Sequence, residues 1–69
     1  MGEATNDAKM RWARDARRQF QEAEKHRSQA VAEGRFADAE YHLRIGSRRI
    51  AHALRLEAEV RGAEARLRG

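Results

Sequence analysis

Gly34 lies at the centre of a mirror relation in this chain. Ala30 and Ala39, Ala23 and Gly46, and Ala16 and Ala53 are each equidistant from the Gly34–Arg35 junction. In an antiparallel pair of helices, residues that face one another have numbers adding to a nearly constant value. A reversal at Gly34 therefore brings these pairs together as three consecutive layers of small side chains. Such layers let helix axes approach to the short end of the usual ~8–10 Å.

The pattern on either side of the centre is helical. From about residue 7 to residue 33 there is neither glycine nor proline, and Ala13, Ala16, Phe20, Ala23, Ala30 and Val31 recur at three- and four-residue steps. Residues 1–6 read as a polar tail, and Thr5, Asn6 or Asp7 can cap the first helix, because a short side-chain oxygen accepts from an unpaired amide of the first turn. The second helix is expected over about 36–67. In it Phe36, Leu43 and Ile50 stand seven apart, and Ala39, Gly46, Ala53, Val60 and Leu67 form a companion series, the spacing of a coiled-coil seam. One unbroken helix through a lone glycine would cost only about 1 kcal/mol. The mirrored small residues, more than the glycine itself, argue for the reversal. Arg11 with Asp15, Arg18 with Glu22, Glu40 with Arg44 and Glu57 with Arg61 stand four apart, each pair adding about 0.2–0.5 kcal/mol to a helix.

These readings predict an all-α fold, a two-helix antiparallel hairpin forming a single domain over residues 1–69, with the turn at about 34–35. Packing is expected from Ala16, Phe20, Ala23, Ala30, Ala39, Leu43, Gly46, Ile50 and Ala53. Apolar residues remain that a two-helix seam does not cover: Met10, Trp12 and Val31 on the first helix, Ile45, Leu56 and Ala63 on the second. A chain of this length buries only roughly 60% of the surface its unfolded form exposes. With no cysteine to supply a disulfide, oligomerisation is the usual remedy for so small a scaffold. The expectation is a homodimer, two hairpins pairing into a four-helix bundle, with Trp12, Ile45 and Leu56 as the partner or dimer interface. A heterologous protein helix is the competing occupant.

Composition narrows the functional classes. No apolar run approaches the eighteen or so residues of a membrane span, and the N-terminal residues lack the apolar core of a signal peptide; a cytoplasmic protein with no membrane partner is expected. The net charge is +4, with thirteen arginines against two lysines. Residues 1–33 hold seven basic and six acidic groups, residues 34–69 eight and five, so the imbalance sits mainly in the second half. That balance permits attraction to nucleic acid without demonstrating it.

The segment Ala30-Val31-Ala32-Glu33-Gly34-Arg35-Phe36-Ala37-Asp38-Ala39, continuing to Leu43, resembles the turn of a tetratricopeptide-type helical hairpin, in which glycine, an aromatic two residues later and alanine five later recur. The resemblance covers about a fifth of the chain. His26 and Arg27 depart from the family's pattern, and no second repeat follows on which to stack. It implies a helical hairpin of the interaction type.

Chemical sites are sparse. His26 and His42 could meet across the hairpin, but His52 lies about 15 Å further along the second helix. A zinc site needs three or four convergent ligands, so no metal and no cofactor is expected. Ser28 and Ser47 have no patterned base, and no glycine-rich phosphate cradle occurs. The chain is expected not to be an enzyme. The function that follows is a small helical-hairpin protein-interaction or regulatory module that self-associates. The alternative is a basic helical-bundle regulator that binds RNA or DNA, with Arg44, Arg48, Arg49 and Arg55 as phosphate contacts on the outward face of the second helix.

Overall fold

The computed structural model describes residues 5–68. Helix α1 runs Asn6–Ala32 and helix α2 runs Phe36–Arg68; the chain reverses between them, and the two pack against each other along their length. The hairpin is 52 Å long and 13 Å thick in its thinnest direction, the thickness of one helix layer. Of the tail expected over residues 1–6, residues 1–4 lie outside the described range, and α1 already begins at Asn6.

Both ends of the turn follow from local chemistry. Thr5 caps α1, its backbone extended and its Oγ1 accepting from the Ala8 amide at 3.1 Å, with Asp7 in the first turn where a carboxylate suits the helix dipole. At the other end Gly34 takes φ 75°. The Arg35 amide donates to the Ala30 carbonyl at 2.7 Å and the Gly34 amide to that of Val31 at 3.0 Å. This is a Schellman closure, which satisfies two orphan carbonyls and needs a left-handed residue at its centre. Arg35 then bonds Glu33 and Asp38 through its side chain, bracing the start of α2.

The seam is built almost wholly of alanine. Ala13, Ala16, Ala23 and Ala30 of α1 meet Ala39, Gly46, Ala53, Leu56 and Val60 of α2, and none of the apolar members is more than 7% exposed. No large side chain is fully buried among the described residues. Phe20 and Ile50 fill the edges, part-buried.

The seam differs from the expected one in its rotation. Leu43 is 48% exposed rather than packed, and Phe36, at the head of its seven-residue series, is 68% exposed. The reason is the mismatch between 3.6 residues per turn and a seven-residue repeat, which turns such a series by ~20° per heptad. Phe36 and Leu43 therefore stand outside the contact, and only Ile50, further along, turns partly inward. On the opposite flank of the seam Leu56, expected to project outward, is 7% exposed and clusters with Ala13, Ala16 and Ala53. Leu67 lies beyond the start of α1, where the facing positions fall outside the described residues; it is exposed.

The seam sets the tolerance of its glycines. A Cβ at Gly46 would meet the Ala23 Cβ and the Phe20 ring, both at 3.4 Å, so nothing larger than alanine fits without moving α1. At Gly62 no atom lies within 4 Å. Gly46→Leu should lose about 1–3 kcal/mol through overpacking, whereas Gly62→Ala should gain up to about 1 kcal/mol from helix propensity alone. Urea denaturation checks both; a Gly46→Leu midpoint equal to the parent's would place the seam elsewhere.

Candidate functional site

The hairpin presents two broad sides and the back of each helix, and they differ chemically. On one side lies an apolar stripe. Phe36, Leu43 and Leu54 expose between 48 and 68% of their surface, with Ile50 part-buried among them. Val31 of α1 joins them on helical phase, standing two heptads beyond Arg17, whose guanidinium reaches α2 on that same side. Arg17 crosses the hairpin to Glu57 in a two-pronged contact, Nε to Oε2 at 2.6 Å and Nη2 to Oε1 at 2.7 Å. Along the stripe's other border Arg44 bonds Glu40 at 2.8 Å.

The opposite side carries an open groove of about 330 Å³, lined by Arg18, Gln19, His26, His42, Ile45 and Arg49 among others. The imidazoles of His26 and His42 stack across it, centroids 5.0 Å apart and planes 24° from parallel. Tyr41 meets His42 edge-on at 5.3 Å. The two histidines thus meet as their mirrored positions predict. Among the described residues no three His, Cys, Asp or Glu side chains converge as metal ligands.

The residues selected from the sequence separate in three dimensions. Trp12 is 49% exposed and falls on the groove side, one and two heptads before Gln19 and His26. Ile45 is part-buried in the groove wall. Leu56 is enclosed by the hairpin's own core and is withdrawn from any outer surface. The stripe residues Val31, Phe36, Leu43 and Leu54 offer more accessible apolar surface than these three. Phe36 and Leu43 are signalled by their seven-residue spacing, but that spacing reads equally well as core. Arg44, Arg48, Arg49 and Arg55 are all exposed; Arg44 is held by Glu40, Arg49 faces the groove, and Arg48 and Arg55 stand on the back of α2.

Ion pairing departs from the expected four-residue spacing except at Glu40–Arg44, going to three-residue pairs within a helix or across the hairpin. Glu57 turns to Arg17 across the hairpin in place of Arg61, since a two-pronged guanidinium–carboxylate contact is stronger than a single helical pair. Arg18 bonds Asp15, leaving Glu22 to Lys25. Lys9 reaches Glu59 at 3.4 Å, the second link between helices. Comparison with protein-family models, with curated proteins and with solved structures returns no match for this chain. The likeness to a tetratricopeptide hairpin therefore stands as a likeness of turn chemistry.

The Arg17 hydrogen bonds hold the Glu57 carboxyl below the ordinary carboxylate range; partial burial opposes this, and the charges of Arg17 and then Arg61 add to it. Glu24 is lowered in the same way by the hydrogen bond from Arg27. A carboxylate whose pKa is lower folded than unfolded stabilises in full above its unfolded value, and that stability is lost as pH falls through the folded one. The melting temperature of Glu57→Gln should accordingly lie below the parent's at pH 7. The gap should close as pH falls below the ordinary carboxylate value of about 4.3. Melts followed by circular dichroism at both ends of that range check it; a gap that persists in acid would deny Glu57 this role.

Proposed function

We propose that this chain is a small helical-hairpin interaction module that self-associates, two copies burying their Val31, Phe36, Leu43 and Leu54 stripes to form a four-helix bundle. The observation that carries the reading is the inversion of bulk. The hairpin spends its interior on alanine and glycine, and most of its large apolar side chains stand outside. An interior of methyl groups gains little from burial, at about 0.8 kcal/mol per buried carbon. A second layer of helices supplies what the hairpin alone lacks.

Area and charge favour a second copy as the occupant. The stripe exposes on the order of 450 Å² of apolar surface, near the middle of the ~300–600 Å² found for the largest patch on a monomer. It approaches the apolar share, roughly 500 Å², of the ~800 Å² that each partner buries in a standard interface. Charges bordering the stripe are already matched, Arg17 with Glu57 and Glu40 with Arg44, so two copies approach without bringing like charges face to face. The bundle then acts by holding a protein or regulatory target, with no catalytic group of its own.

Sedimentation equilibrium at micromolar concentration should return about twice the 7.9 kDa chain mass. Leu43→Glu with Leu54→Glu should give monomer, and Leu43→Ala alone should weaken the dimer at least severalfold while keeping helix content. Trp12→Ala should leave it intact. A monomeric parent, or a dimer lost with Trp12 and kept without Leu43, would overturn the assignment.

A further inference from the structure

The cations left over from the pairing collect on the back of α2. From Tyr41 to Leu56 there are sixteen residues without one acid, holding four arginines and two histidines. Tyr41, Arg48 and Arg55 follow at seven-residue steps, ~10.5 Å apart along one face, with Arg44 and His52 between them. The acids closest to that face are engaged, Glu40 by Arg44 and Glu59 by Lys9. Among the described residues no ion pair forms to Arg48, Arg49 or Arg55. Past Arg55 the ridge opens into a trough of about 830 Å³ floored by Ala58, Gly62 and Ala63, with Arg66 at its side. At the other end Tyr41, 60% exposed, starts a ladder of rings that continues through His42 to His26.

We infer that this ridge binds single-stranded nucleic acid, phosphates lying against Arg48 and Arg55 and against Arg49 at the ridge's groove-side border, and a base stacking on Tyr41. Guanidinium forks match phosphate oxygens, and unpaired bases stack on aromatic faces beside a cationic track. The rings distinguish this partner from an acidic peptide, which has no base to lay on Tyr41. A membrane surface fits poorly, because the apolar positions beside the arginines are only Ala37, Ala51 and Ala58, and the bulky apolar groups lie about 120° round the helix on the stripe. The same angle makes the ridge independent of self-association, since stripes buried in a dimer leave both ridges outside.

Fluorescence anisotropy of labelled oligo-uridine and oligo-thymidine tests it. Saturable binding is expected, weakening as salt rises from about 50 to 200 mM with a log–log slope near −2 for three phosphate contacts on a single strand. Arg48→Ala with Arg55→Ala should lose at least tenfold in affinity and flatten the slope by about 1.4, the share of two contacts. Tyr41→Ala should weaken the single strands about tenfold and leave duplex DNA unchanged. These side chains are exposed, so the variants should keep the parent's helical spectrum. The inference falls if neither oligonucleotide binds at the lower salt, or if the double arginine variant binds as the parent does. It falls equally if polyglutamate displaces oligo-uridine as well as unlabelled oligo-uridine does, or if phosphatidylserine vesicles bind where oligonucleotides do not.

Discussion

The contact of Ala23 with Gly46, and the alanine layers on either side of it, set the distance between the two helices, and most other features of the molecule adjust to that distance. With the Ala23 Cβ and the Phe20 ring lying 3.4 Å from where a Gly46 Cβ would stand, the space between the helices at this layer admits a methyl group and nothing larger. Close approach leaves no room for leucine or phenylalanine between the axes. Large side chains must flank the seam or leave it. Phe20 and Ile50 flank it, Leu56 and Val60 enter it near the open end, and Phe36, Leu43 and Leu54 stand outside.

This displacement gives the hairpin its surfaces. In a thicker bundle the same residues would form a common interior, whereas in a layer one helix thick a residue rotated by half a quadrant from the seam already meets solvent. The apolar side and the basic back of α2 are therefore produced by one geometry. Ion pairs sharpen the contrast: Glu40 and Glu59 are drawn to Arg44 and Lys9, which takes negative charge out of competition along the back of α2. The stacked histidines occupy the remaining side, where the groove keeps them within reach of Arg18 and Arg49.

How much of this was legible depends on the range of the interaction involved. The turn at Gly34, the cap at Thr5 and the pairing of Ala30 with Ala39 rest on contacts within a few residues, and the composition around each states them. The meeting of His26 with His42 extends that logic by register alone. Leu43 and Leu56 are the instructive departures. Both are apolar and both flank the small-residue layers, and the two exchange places between expected and observed core. Glu57 departs in the same manner, having Arg61 within helical reach and Arg17 reachable only across the hairpin.

What the sequence alone determined is the hairpin: its helices, its point of reversal and the three small layers aligned about that point, because these arise from backbone preference and equal chain lengths on either side of a glycine. Which residues flanking those layers are enclosed was decided only on packing, since both flanks lie within a fraction of a turn of the seam and drift by ~20° per heptad against a partner whose own rotation the chain does not spell out. The surfaces that bear on function lie on the far side of that decision. An exposed Leu43 and an enclosed Leu56 differ in no local property, and only the seat of the opposing helix separates them.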